Sequence, residues 1–301
     1  MLGALLPIFA IILLGWALRR LGFPAAGFWP QAERITYYLF LPALFVGSLA
    51  VADFGSLAAG RLALALALPI VVMSAGLLLA RPHLPVSGPT FTSLFQGAVR
   101  MNTYVGLSAA AALFGTAGVT MSSVAIVAMI PLINVLCVSV ITMYGARGGR
   151  PGGRVLLEIV RNPLIVGCAV GYALNASGLV LPPAAVEFFR ILGRAALPIG
   201  LLAAGTGLRF GAVGHDLRAL ALATSAKLVG LPLLTAAACE LLGVAGDERT
   251  IALVFAALPT SAASYILARQ LGGDVPAMAS IITVQHLAAA LTMPAMVAWL
   301  G

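Results

Sequence analysis

Arg100, Asn102, Thr103 and Tyr104 stand close together in the stretch FQGAVRMNTYVG, residues Phe95 to Gly106, inside an otherwise apolar run. A guanidinium offers a planar fork of donors to a carboxylate, and an asparagine amide both donates and accepts. A helix interrupted at Asn102 would leave unpaired carbonyls at the end of its first half and unpaired amides at the start of its second. Asn102 can serve both. A second interruption stands at Ala257–Ser261, ALPTS. There Pro259 removes an amide and clashes with the preceding turn, while Thr260 and Ser261 offer hydroxyls to the freed groups. If the two breaks cross, two positive half-helix ends face one small volume, and that arrangement favours an anion such as a carboxylate.

Other polar residues interrupt apolar runs singly. Arg100 falls about midway along its run, where a guanidinium marks a pathway or substrate site, or else snorkels or bonds the carbonyls that the break exposes. Lys227, the only lysine in the chain, lies between ALATSA and LVGLPLL. It reads as a second anion contact or as a partner of exposed carbonyls. Asn134, in IPLIN, lines a cavity or bonds between helices. His286, in TVQHL, is a candidate coupling residue that titrates near neutral pH, or a packing histidine. Of the nine carboxylates, Glu33, Glu158, Glu187 and Glu240 fall near the ends of apolar runs and the other five in turns. That distribution argues against a carboxylate-based proton or sodium site. Cys137, Cys168 and Cys239 stand singly in three runs, as packing residues do, so no metal or other cofactor is implied.

The elements that carry these residues follow from composition. With 61% hydrophobic and 9% charged residues and a mean hydropathy of +1.09, the chain is a polytopic membrane protein. The net charge of +8 does not point to nucleic acid, because the arginines sit mostly in short turns. No basic segment precedes the first apolar run, and Arg19 and Arg20 follow it, so a cleaved signal peptide is not expected. Ten runs reach the length of a span, near 3–20, 31–51, 58–79, 89–113, 117–143, 155–175, 184–207, 217–242, 248–271 and 275–300. Turns after the odd-numbered runs hold Arg19, Arg20, Arg81, Arg147, Arg150, Arg154, Arg209 and Arg269; the opposite turns hold little beyond Arg61 and Arg249. The asymmetry places both termini outside the cytoplasm, in a multi-pass protein of the cell (inner) membrane. The basic turn Gly145–Arg154 lacks the Lys-Ser/Thr ending of a phosphate loop and reads as a linker.

That linker divides the chain into halves, 1–144 and 155–301, and an offset of 156 aligns them. It pairs Pro7 with Pro163, Gly15-Trp16-Ala17-Leu18 with Gly171-Tyr172-Ala173-Leu174, Arg34 with Arg190, Leu41-Pro42 with Leu197-Pro198 and Phe54-Gly55 with Phe210-Gly211. An offset of 157 later sets Asn102 opposite Pro259. Five runs per half is an odd number, so the second half enters the membrane from the opposite side. The expected fold is all-α, with ten transmembrane helices as two inverted five-helix repeats and with helices 4 and 9 broken. Paired breaks are the best sequence pointer to a binding site in such transporters.

RMNTYVGLSAAAALFG, IPLINVL, RNPLIVG, AALPIGLLAAGTGL, KLVGLPL and ALPTSAASYILARQLGGD, taken in order over nearly the whole chain, resemble the auxin efflux carrier family, whose bacterial members include malonate and other organic-acid permeases. The resemblance implies a scaffold of helices 1, 2, 6 and 7, often forming a homodimer, and a transport domain of helices 3–5 and 8–10 that moves like an elevator. It implies that Asn102 and Pro259 lie at the crossover with Asn134 and Lys227 nearby. Plant members often carry a proline soon after the first-break asparagine; Thr103-Tyr104-Val105-Gly106 stands here instead, so the crossover geometry can differ. The expected function is secondary transport of a small organic anion, with proton or sodium coupling left open. The expected substrate-binding residues are Arg100, Asn102, Thr103, Tyr104, Asn134, Lys227, Pro259, Thr260 and Ser261. Two rivals remain: a sodium-coupled symporter of the bile-acid type and a non-transporting membrane sensor. A membrane enzyme is disfavoured, since the chain has no GxGD, HExxH or Asp-rich motif.

Overall fold

The computed structural model describes residues 2–25, 27–52, 58–146, 161–179, 181–212 and 216–301. Every regular element among them is helical. In chain order these are α1 (Leu2–Arg20), α2 (28–49), α3 (Ala59–Ala80), α4a (Gly88–Val99), α4b (103–114), α5 (116–144), α6 (Pro163–Ala176), α7 (Pro183–Thr206), α8 (217–242), α9a (Gly246–Ala256), α9b (Ala263–Leu271) and α10 (Val275–Leu300). Among the described residues, five stretches are long and apolar enough to cross a membrane: Ala59–His83, Gly88–Tyr144, Pro183–Thr206, Leu217–Leu242 and Val275–Leu300. Many large apolar side chains face outward, among them Leu6, Leu14, Leu79, Leu241, Leu291 and Trp299. An apolar exterior of this kind requires lipid as its solvent. The arginines at 147, 150 and 154, the acidic residue at 158, the Phe54-Gly55 pair and the first residues of the sixth expected span lie outside the described residues.

Local sequence explains the ends and bends. Ser87 and Asp274 cap α4a and α10 by accepting the amides of Thr90 and Ala277, and a proline follows two residues later in each case. Between α4b and α5 the chain reverses at Gly115, whose φ of 55° suits glycine. The reversal is tight enough that a Cβ on Gly118 would collide with the Ala110 carbonyl. In a straight helix those residues would be about 12 Å apart. Two helices each contain one π-turn, Thr36–Phe40 in α2 and Ala226–Gly230 in α8.

Helices α1, α2, α6 and α7 close on one another through glycines. A Cβ at Gly15 would strike the Leu202 backbone, one at Gly205 the Ile12 carbonyl, and one at Gly167 the Pro42 backbone. The offset of 156 also relates contacts: Gly15 meets Leu202 while Gly171 meets Val46. Arg19 donates to the Thr206 carbonyl, and Asn175, at the equivalent position, donates to that of Ala50. The other helices form a second packed group, in which α3 lies against α5 and α8 and α4a lies against α8 and α10. Phe91, Phe95 and Phe255, all fully buried, fill its core.

Candidate functional site

Both expected interruptions are present, and they touch. Arg100 and Asn102 are extended, with ψ of 155° and 100°, and Asn102 caps α4b by accepting the amides of Tyr104 and Val105 at 3.1 and 3.4 Å. The Asn102 amide itself donates to the Pro259 carbonyl at 2.8 Å, which joins the two breaks directly. Pro259 has no amide to return the bond. The next amide, Thr260, donates instead to Gln285 Oε1 at 2.9 Å, and the Thr260 hydroxyl donates to the Gly97 carbonyl at 2.8 Å.

Helix α10 holds this crossing from behind. Gln285 Nε2 donates to the carbonyls of Gly97 and Ala223, which ties α4a and α8 to the second break. His286 Nδ1 lies 2.8 Å from the Ile282 carbonyl and so carries the proton; Nε2 is then left to accept from Asn102 Nδ2 at 3.0 Å. Gln285 is fully buried and was not singled out in the sequence. Its signal was weak, since one glutamine in an apolar run has no partner until the breaks are placed. Gln285→Leu removes the acceptor of the Thr260 amide, and we expect it to lower stability in detergent by about 1–3 kcal/mol, the cost of orphaning a buried polar group. An unchanged melting temperature would show that the latch is not needed.

In front of the crossing lies a cavity of about 100 Å³, room for roughly three waters. Arg100, Thr103, Asn134 and Ser261 line it, together with Tyr37 and Asn162. Arg100 Nη1 donates to Asn134 Oδ1 at 3.3 Å, and the Cys137 thiol lies close to the guanidinium. No carboxylate lines the cavity or pairs with Arg100 among the described residues. The amides of Thr103 and Ser261 have no partner among the described residues, and each stands at the entrance of a second half-helix. One guanidinium, two half-helix N-termini and five side-chain amide or hydroxyl groups thus line a volume of a few heavy atoms.

Tyr37 and Asn162 are the polar lining residues that sequence reasoning missed. Asn162 caps α6 through the amides of Leu164 and Ile165, and its side chain lies close to the Tyr37 hydroxyl. The Asn-Pro pair at 162–163 announced a helix start, but not what that start faces. Tyr37 sits on the α2 π-turn, a distortion that often marks functional positions.

The remaining expected residues divide differently. Asn102, Pro259 and Thr260 form the crossing itself and are nearly or wholly buried. Tyr104 packs on Gly200 of α7 with Glu33 close by, away from the cavity. Lys227 lies on the α8 π-turn, fully buried, with Nζ lacking a partner among the described residues. It does not line the cavity. Gln96, on the adjoining α4a, is buried with neither amide atom partnered among the described residues. All three cysteines are buried free thiols.

Residues 152–297 match the family model described as membrane transport protein. That stretch contains α6 to α9b and most of α10, with the second break and the residues that hold it. No curated protein matches the chain.

Proposed function

We propose that the chain, whose residues 152–297 match the membrane transport protein family, the one that includes the auxin efflux carriers, carries a small organic anion across the cell (inner) membrane. The observation that supports this reading is the uncompensated Arg100 guanidinium in a cavity of about 100 Å³, beside the free amides of Thr103 and Ser261. A carboxylate placed there accepts from the guanidinium and from both half-helix ends. Asn134, Asn162 and Tyr37 orient it, and the cavity volume limits it to a short chain with one or two carboxylates. Asn102 and Pro259 keep the two half-helices in register behind it.

Translocation is read as a rigid-body step. Helices α1, α2, α6 and α7 serve as the scaffold, and α3 to α5 with α8 to α10 carry the crossing as one body. The repeated contacts at an offset of 156 support two halves of like structure, and five spans in each half make them inverted. Most arginines then lie on the cytoplasmic side with both termini outside. The absence of a carboxylate from the cavity lining, among the described residues, favours an anion carrier over a sodium-coupled symporter.

The test is a screen of acetate, lactate, malonate and succinate for thermal stabilisation of the purified protein, followed by flux measurements in proteoliposomes with and without proton and sodium gradients. Stabilisation grows with the logarithm of ligand excess, so even weak substrates register at high concentration. Saturable flux of a stabilising acid is the expected result. Stabilisation without flux would make the protein a sensor, and neither would remove the anion assignment.

A further inference from the structure

A second cavity, of about 350 Å³, opens at the end of the molecule where α1 and α7 finish. Its walls are Arg209, Gly211, Tyr265, Val275, Pro276 and Ala279. It therefore lies between the segment that follows α7 and the helices α9b and α10, on the boundary between the two packed groups. Arg19, at the end of α1, is close enough to interact electrostatically with both Arg209 and Tyr265. Its guanidinium is anchored on the Thr206 carbonyl. The Arg209 backbone is fixed by its amide, which donates to Thr283 Oγ1 at 2.8 Å, yet its guanidinium has neither a hydrogen bond nor an ion pair among the described residues. Arg209 thus lines the cavity with Arg19 near it, and no carboxylate is among the lining residues described. Like charges held together raise the energy of the empty site, and an oxyanion that enters relieves it. The cavity at the opposite end, about 480 Å³ and lined by such residues as Val124, Val127, Ala128, Ile165 and Ala169, carries no arginine.

We propose that Arg19, Arg209 and the Tyr265 hydroxyl form a second oxyanion site, a vestibule at the boundary between the scaffold and the moving helices, separate from the crossover cavity. The ligand is a soluble carboxylate or the phosphate of a lipid headgroup; both present the same oxygen cluster to the two guanidinium groups. Either occupant would bridge α1 and α7 to α9b. A soluble anion held there is concentrated at the boundary before it reaches Arg100, whereas a headgroup would tie the moving helices to the leaflet.

The site contains its own reporter. Trp16 stacks edge-on against Phe210 at 4.9 Å and lies beneath Arg20 at 5.6 Å, beside the two residues that flank Phe210 in the cavity wall. The chain has three tryptophans, so Trp29→Phe with Trp299→Phe leaves Trp16 alone. In phosphatidylcholine nanodiscs, malonate is expected to change the emission of that variant saturably. The half-point should rise at least tenfold in Arg209→Gln, rise less in Arg209→Lys, and stay the same in Arg100→Gln, which alters only the crossover. A response to phosphatidylglycerol that depends on Arg209, with none to malonate, would assign the same site to headgroups. No response to either probe, or one that Arg209→Gln leaves unchanged, overturns the proposal. Since Arg100→Gln is a separate arm, failure of the crossover reading and failure of the vestibule are told apart.

Discussion

Asn102→Ala is expected to reduce proteoliposome uptake by about 100-fold or more, the loss that a misplacement near 1 Å brings where oriented groups act together. The asparagine joins three structures at once. Its side-chain oxygen caps α4b, its side-chain amide holds His286, and its backbone amide holds Pro259. Alanine keeps only the last of these. Loss of the cap costs about 0.5–2 kcal/mol, too little by itself to unfold a protein of this size. The half-helix, however, loses the group that fixes its first turn, and Thr103, which lines the cavity, moves with that turn. Asn102→Asp separates the two side-chain roles. Aspartate caps a helix as well as asparagine does, but it has no amide to donate to His286 and it places a negative charge behind an anion site. An Asn102→Asp protein that is folded and correctly inserted yet inactive would show that the amide and the charge balance matter beyond the cap. Unchanged uptake in Asn102→Ala would remove the crossing from the mechanism.

The breaks were legible because they violate a strong local rule. A membrane helix keeps its backbone bonds within itself, so an Arg-Met-Asn run and a Leu-Pro-Thr run inside apolar stretches stand out without any partner in view. Their meeting was legible through the offset that pairs Asn102 with Pro259, and the bond between those residues matches it. The latch behind the crossing was not. Gln285 acts through carbonyls on α4a and α8, and a carbonyl has no sequence signature. Lys227 was open for a related reason. Its type and its depth in the run suggested an anion contact or a partner of exposed carbonyls, and the direction a side chain takes from a π-turn is set by backbone geometry that residue types do not encode. Of the polar residues expected at the site, Arg100, Thr103 and Ser261, beside the breaks, line the cavity, while Asn102 and Thr260 form the crossing behind it. Of those on distant helices, Asn134 reaches the cavity and Lys227 does not. Tyr104 shows the limit even for neighbours, since one residue beyond Thr103 the helix already faces α7.

Arg100→Gln is expected to weaken anion binding by about 2–4 kcal/mol, roughly 30- to 1,000-fold, because it removes the charged partner of a desolvated carboxylate. The same substitution should leave thermal stability of the ligand-free protein unchanged or slightly raised. A guanidinium without a carboxylate in a half-buried, low-dielectric site is held against its own desolvation, and only Asn134 and Cys137 partly offset that cost. The opposite signs on binding and on stability distinguish a ligand-holding arginine from one that braces the break: a bracing residue would lose both. Arg100→Lys refines the assignment, because lysine keeps the charge and loses the planar fork. Recovery of most of the affinity in Arg100→Lys would mean that the site reads charge alone, while a loss close to that of Arg100→Gln would mean that two carboxylate oxygens are gripped together. Half-saturation concentrations from flux, set beside melting temperatures of the three proteins without ligand, decide it. Equal half-saturation in wild type and Arg100→Gln would leave Arg100 a structural prop for Asn134 and would shift the search for the binding charge elsewhere.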